Sequence, residues 1–183
     1  MRTKHTPVLE RITPENTLLY RITRLRALQE SPLAFGSTYA GESQLTESDW
    51  LERSAKWSRS NSIGYLAMDR GLPCGLLLSH LDEHDHRKAH LISMWVSPSH
   101  RRTGVGNTLI AAVQDWAEKR GVTELLLMVT SSNTTAIRFY ERLGFSMTGY
   151  TEPYPNDAKL VEYEMSKNIG QSARVLNPPF KRK

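Results

Sequence analysis

The chain has 183 residues, 39% of them hydrophobic, and a single cysteine. That is enough material for the core of one globular domain; it excludes an internal disulfide, and no apolar run approaches the roughly 20 residues that cross a bilayer. The formal charge of +5 has a local origin: residues 167–183 hold Lys167, Arg174, Lys181, Arg182 and Lys183 and no acid, so the remaining bases match the 19 acids in number, which argues against a broad nucleic-acid face.

In chain order, the first residues carry no hydrophobic segment of the secretory kind, and with the lone Cys74 this sets a reducing cytoplasm as the expectation. Residues 8–12 read as a short strand. Thr13 and Pro14 then open a helix whose Leu18, Leu19, Ile22, Leu25 and Leu28 recur at helical spacing to about Glu30, where Ser31-Pro32 stops it. Residues 33–46 read as a loop. A second helix carrying Trp50, Leu51 and Trp57 begins after Thr46 or Ser48. Strands over 63–68, 74–81 and 89–96 form an antiparallel meander with turns at 69–73 and 82–87. A long helix over about 104–120 puts Val105, Leu109, Ile110, Val113, Trp116 and Ala117 on one face, with Gly121 at its end. Residues 124–129 are apolar enough for a buried strand parallel to 89–96. A helix over 134–143 ends at Gly144, and strands over 145–150 and 160–165 complete a mixed α/β sheet. The expected division is a domain over 1–166 and a basic tail over 167–183.

The densest signal is Arg101-Arg102-Thr103-Gly104-Val105-Gly106, between a strand and a helix. Glycines allow a tight turn, and the helix start offers unpaired N–H groups at the positive end of a dipole, so the loop suits a phosphorylated ligand. A Walker loop needs Gly-Lys-Ser/Thr, but Asn107-Thr108 follows Gly106. A dinucleotide fingerprint needs a third glycine where Leu109 stands.

A third pattern fits. Arg101, Gly104 and Gly106 match the Arg/Gln-x-x-Gly-x-Gly/Ala signature of the GNAT superfamily of acyl-CoA-dependent N-acyltransferases. Asn133, Ala136, Phe139, Tyr140 and Gly144-Phe145 match its second block, Asn-x-x-Ala-x-x-Phe-Tyr followed by Gly-Phe. The chain resembles that family most clearly over residues 88–150. The resemblance implies a GNAT-like α/β fold: a mixed, mostly antiparallel sheet of six or seven strands with a splayed central parallel pair, flanked by about four helices. It implies acetyl-CoA in the splay, with pantetheine against Met94, Trp95 and Val96. The pyrophosphate is implied on Arg101, Arg102, Thr103, Gly104, Val105, Gly106, Asn107 and Thr108, with Asn133, Ala136, Phe139 and Tyr140 on the other side.

The chemistry needs a base for the attacking amine and a proton for the departing thiolate. Tyr140 resembles the family tyrosine that serves the thiolate. His90 is the candidate base, expected on one strand face with Ile92, Met94 and Val96 and opposite Trp95. A hydrogen-bonded strand-end histidine, Glu83 or His84, and a water relay without a single base stay open beside it. Residues 80–90 hold four histidines and three carboxylates, but they span a hairpin without metal-site spacing, so no metal is expected. Cys74 and the tryptophans read as packing residues. Glu42, Glu47, Asp49, Glu152 and Asp157 suit a cationic acceptor.

The reading is therefore an acetyl-CoA-dependent N-acetyltransferase acting on a primary amine of a small molecule. A protein or peptide N-acetyltransferase and a non-catalytic acyl-CoA-binding module are the alternatives. The expected partners are acetyl-CoA and an amine, with no nucleic acid or membrane, and a homodimer is compatible with the sequence.

Overall fold

Arg70 and Gly71 both take positive φ, 51° and 78°, the backbone that a two-residue hairpin of right-twisted strands requires. In the computed structural model, which describes residues 7–170, they join β2 (Ser62–Asp69) to β3 (Leu72–Leu81). The turn is thus tighter than the expected 69–73. β1 (Val8–Arg11) pairs with the far edge of β2, and β4 (Lys88–Val96) with β3, all antiparallel. β5 (Glu124–Thr130) lies parallel to β4, and β6 (Ser146–Pro153) and β7 (Val161–Asn168) complete one seven-stranded sheet of order β1-β2-β3-β4-β5-β7-β6. This is the GNAT-like architecture that the two motif blocks imply.

Helices cover both faces. On one side lie α4 (Val105–Glu118) and α5 (Thr134–Arg142). The six apolar residues expected to face inward on α4 are the ones it buries, and its two valines, leucine and isoleucine are worth roughly 1.5–3 kcal/mol each as fully buried side chains. Gly121 and Gly144 follow α4 and α5 with φ of 77° and 88°, as left-handed helix terminators. On the other side lie α1 (Thr17–Glu30), the one-turn α2 (Tyr39–Glu42) and α3 (Glu47–Lys56). None of the described helices is long and apolar enough to cross a membrane.

Three expectations change. The segment 33–46 contains α2, capped by the Thr38 hydroxyl, which accepts from the Gly41 N–H at 3.1 Å. The buried face of α1 is Tyr20, Thr23, Arg24, Ala27 and Leu28, while Leu18 and Ile22 are exposed. Polar partners offset the cost of burying Tyr20 and Arg24: the Trp57 indole for the first, the Glu42 carboxylate for the second. At the other end, β7 runs to Asn168, and Ile169 packs in the core. The sheet therefore continues past residue 166, and residues 171–183 of the expected tail lie outside the described residues.

The register of β4 positions the site. Ile92 lies opposite Leu78 and Trp95 opposite Leu76, so Ser93 and Met94 together face Leu77. This is a β-bulge, and Ser93 carries its positive φ of 57°. One extra residue exchanges the two faces of everything after it. Before the bulge, Ala89 and Leu91 point to the α4 side; after it, Met94 and Val96 do, while Trp95 packs on Ala27, Leu28 and Phe35 beneath α1. The single face expected for His90, Ile92, Met94 and Val96 is thereby broken. His90 and Ile92 share the α1–α3 face with Trp95.

Candidate functional site

Pairing between β4 and β5 holds only from Lys88–Glu124 to Leu91–Leu127. Beyond it the strands part, because the bulge turns β4 while β5 stays paired to β7 through Thr130. Among the described residues, the edge of β4 from Ile92 to Val96 thus has no strand neighbour on that side, leaving backbone polar groups for another partner. A cavity of about 380 Å³ occupies this opening. Met94, Trp95 and Val96 line one wall, Arg101, Arg102 and Gly106 one end, and Asn133, Ala136, Phe139 and Tyr140 the facing wall. Ten of the residues singled out in the sequence therefore meet around one cavity.

The loop into α4 is built for close approach. Gly104 caps the helix with φ of 99°, and Arg102 is also left-handed at 62°. Among the described residues, no hydrogen bond engages the backbone N–H groups from Arg102 to Asn107; the first helical bond is Thr108 N–H to Gly104 O at 3.0 Å. Those donors and the helix dipole form an anion cradle. At Gly106, a Cβ would meet Phe139 Cζ at 2.9 Å and Met94 Cε at 3.2 Å, so only glycine leaves the gap between α4 and α5 its present width.

The side chains of the loop hold it in place. Arg101 turns inward: its Nε–H donates to the Val96 carbonyl at 2.9 Å, and its guanidinium pairs with Glu30. It ties the loop to β4 and α1. Burial opposes the charge on Glu30, but hydrogen bonds from Ser31, Trp95 and Arg101 outweigh it and hold the carboxyl below its ordinary range. Thr103 and Thr108 donate their hydroxyls to the carbonyls of His100 and Gly104, and Val105 is a core residue at 1% exposure. These three, with Gly104 and Asn107, shape the loop without lining the cavity. Trp95 lines it, yet its indole N–H donates to Glu30 at 3.0 Å.

Across the opening, the Asn133 side chain accepts from the Ala136 N–H at 3.2 Å and caps α5. Further along the helix, Tyr140 is wedged edge-on against Phe139 and Phe145. Its hydroxyl makes no hydrogen bond among the described residues, and burial alone pushes its pKa upward. It stays protonated at neutral pH as a donor facing the cavity. Ser31, Ala34, His100, Thr135 and Arg142 also line this space. Only Arg142 carried a usable signal, a cation in the last turn of the helix that holds the second motif block; the others are brought in by tertiary contacts.

His90 is not among the cavity's lining residues. It sits on the opposite face, where its Nε2 lies 2.9 Å from the Asp82 carboxylate and its ring stacks on His80 at 5.2 Å. The His90 hydrogen bond, then the N–H groups of His84 and Asp85, hold the Asp82 carboxyl well below its ordinary range. Burial lowers the pKa of His80. Among the described residues no three His, Cys, Asp or Glu side chains converge as metal ligands. Burial raises the Cys74 thiol to about 11, which leaves it an inert packing group.

The acids expected to meet a cationic acceptor are partly engaged elsewhere. Asp49 caps α3 by accepting from the Thr46 N–H at 2.8 Å. Glu42, 5% exposed, is held by Arg24 at 2.8 Å and Arg53 at 3.1 Å. Arg24 in turn donates to Ser93 Oγ at 3.1 Å, so a buried ion pair leads directly to the bulge. Nothing in the residue pattern of α1 marked Arg24 as buried.

Comparison with known proteins agrees with this geometry. Residues 24–145 match the model of the Acetyltransferase (GNAT) family. The chain is 44% identical over 59 residues to the [ribosomal protein bS18]-alanine N-acetyltransferase of Escherichia coli strain K12, a match that spans 32% of this chain and 40% of that protein. It is 43% identical over 84 residues to the streptothricin acetyltransferase of Streptomyces lavendulae, 46% of this chain and 40% of that one. These matches thus span well under half of each relative. The fold is that of YncA from Salmonella typhimurium, solved with its cofactor acetyl-CoA: TM-score 0.72 at 15% identity, covering 92% of this chain and 97% of that one.

Proposed function

We propose, since this chain belongs to the acetyltransferase (GNAT) family, that it transfers the acetyl group of acetyl-CoA to a primary amine of a small molecule. The observation that carries the reading is the parted β4–β5 edge ending at an unsatisfied N–H cradle. An extended amide-bearing arm terminated by a pyrophosphate is complementary to both. Arg102 and Arg142 add positive charge at the cavity rim.

Acetyl-CoA supplies the acetyl group as a thioester. The amine nitrogen forms the new C–N bond as the C–S bond breaks, and the amine loses a proton while the thiolate gains one. Tyr140 is the proposed donor of that proton: its hydroxyl makes no hydrogen bond among the described residues and is protonated at neutral pH. His90 is the proposed acceptor, acting through water. Asp82 accepts from its Nε2–H, which leaves Nδ1 with the lone pair. The face exchange at Ser93 supports this division, because amine and thiolate then exchange protons on opposite sides of the sheet.

A peptide acceptor is the second reading, favoured by the likeness to the bS18-alanine enzyme. Both are tested by incubating the full chain and acetyl-CoA with small amines and with peptides bearing free N-termini, reading free thiol. Thiol release with small amines is the expected result. Release with peptides alone would select the second reading, and acetyl-CoA binding without release on any amine would refute both.

A further inference from the structure

The α1–α3 face holds a second cavity, of about 230 Å³, whose floor is Ile92 and Ser93 at the bulge. Its walls carry Arg24, Arg53 and Lys56, and among the described residues Glu42 is the only acid lining it. Glu42 is engaged by both arginines, so the cavity keeps a net positive charge. Arg24 is 5% exposed, and three of its nitrogens contact Glu42 and Ser93; with five N–H groups in its fork, hydrogens remain for a further acceptor. Lys56 stands 5.2 Å over the Trp57 ring and has no acidic partner among the described residues. Its surroundings repel a second cation and attract an anion.

Ser93 in the floor of this cavity, the residue that exchanges the faces of β4, is the chain neighbour of Met94 in the wall of the acyl-transfer opening. We infer that this is the acceptor pocket and that the acceptor is an amine carrying an anionic group, a carboxylate or a phosphate. The amine is directed to Ser93 and the opening, and the anion to Arg53 and Lys56. A volume of about 230 Å³ suits an amino-acid-sized molecule, below the roughly 300–1,000 Å³ of drug-sized sites. This inference rests on the acetyltransfer reading and narrows it to one substrate class.

The test compares acceptors with and without the anionic group, by thiol release from acetyl-CoA with the full chain. L-phenylalanine and L-alanine are set against their carboxamides, and O-phosphoethanolamine against ethanolamine; the two sets separate carboxylate from phosphate. We expect kcat/KM to favour the anionic member of at least one set by about tenfold or more. Lys56→Glu, at an exposed position, should raise KM for that acceptor at least tenfold and leave the KM of acetyl-CoA unchanged. Equal or better turnover of the neutral members, or an unaltered KM in Lys56→Glu, would overturn the inference. If no amine is turned over, the acetyltransfer reading fails and the cavity is judged by calorimetry. Tighter binding of N-acetyl-L-phenylalanine than of its carboxamide upholds an anion site; equal binding, or none, refutes it.

Discussion

Tyr140 keeps 7% of its surface exposed, and that remnant lines the cavity. Tyr140→Phe removes one oxygen and almost no packing volume, so cofactor affinity should persist while kcat falls by about 10²–10³, within the range of general acid catalysis. His90→Gln should lower kcat by a similar order while acetyl-CoA affinity persists. Steady-state turnover and calorimetric titration with acetyl-CoA on both variants and the parent check this. Unchanged turnover in Tyr140→Phe would remove the acid role, and unchanged turnover in His90→Gln would remove the base role. Tyr140 was legible from the second motif block alone. The surroundings of His90 were not, because the side of the sheet on which β4 meets the opening depends on a bulge three residues later.

The loop and bulge act at the level of elements. Gly104 and Gly106 look equivalent in the motif but differ in physical role. A Cβ at Gly104 would meet nothing within 4 Å, so the position is reserved for glycine by its φ of 99° alone. Gly106 lies in the first turn of α4 and is constrained instead by Phe139 and Met94. Gly104→Ala should therefore cost about 1 kcal/mol of stability through backbone strain. Gly106→Val should instead press α4 and α5 apart and weaken acetyl-CoA binding at least tenfold, with little loss of thermal stability. Calorimetric titration and thermal melts separate the two; equal effects on affinity and melting would contradict these roles. The periodicity of α4 was legible to the residue because its buried face is wholly apolar. That of α1 was not, since Tyr20 is buried with its hydroxyl accepting from the Trp57 indole at 3.2 Å, and Arg24 with an ion pair.

Across the whole molecule, Arg24, Glu42 and Arg53 join α1, α2 and α3 to β4. Burial opposes the charge on Glu42, but the two arginines outweigh it and lower its pKa. A carboxyl depressed in the folded state stabilises above its unfolded pKa, about 4.3, and loses that contribution as pH falls through the folded value. Stability in urea should thus decline from about pH 5 towards pH 3. Glu42→Gln should be destabilised by about 3–5 kcal/mol at neutral pH, through a buried cation left unpaired, and should show a shallower decline. A parallel decline in both proteins would assign the acid sensitivity elsewhere. On this scale the division between sequence and structure has a physical basis. Strand and helix identity, the phosphate loop and the second block follow from local periodicity and short-range backbone needs, which contiguous residues encode. The face of β4, the buried side of α1 and the charge of the second cavity depend on one bulge and one ion pair between residues 18 apart. Such pairings acquire their energy only when the folded chain removes both partners from water, so only the tertiary structure decides them.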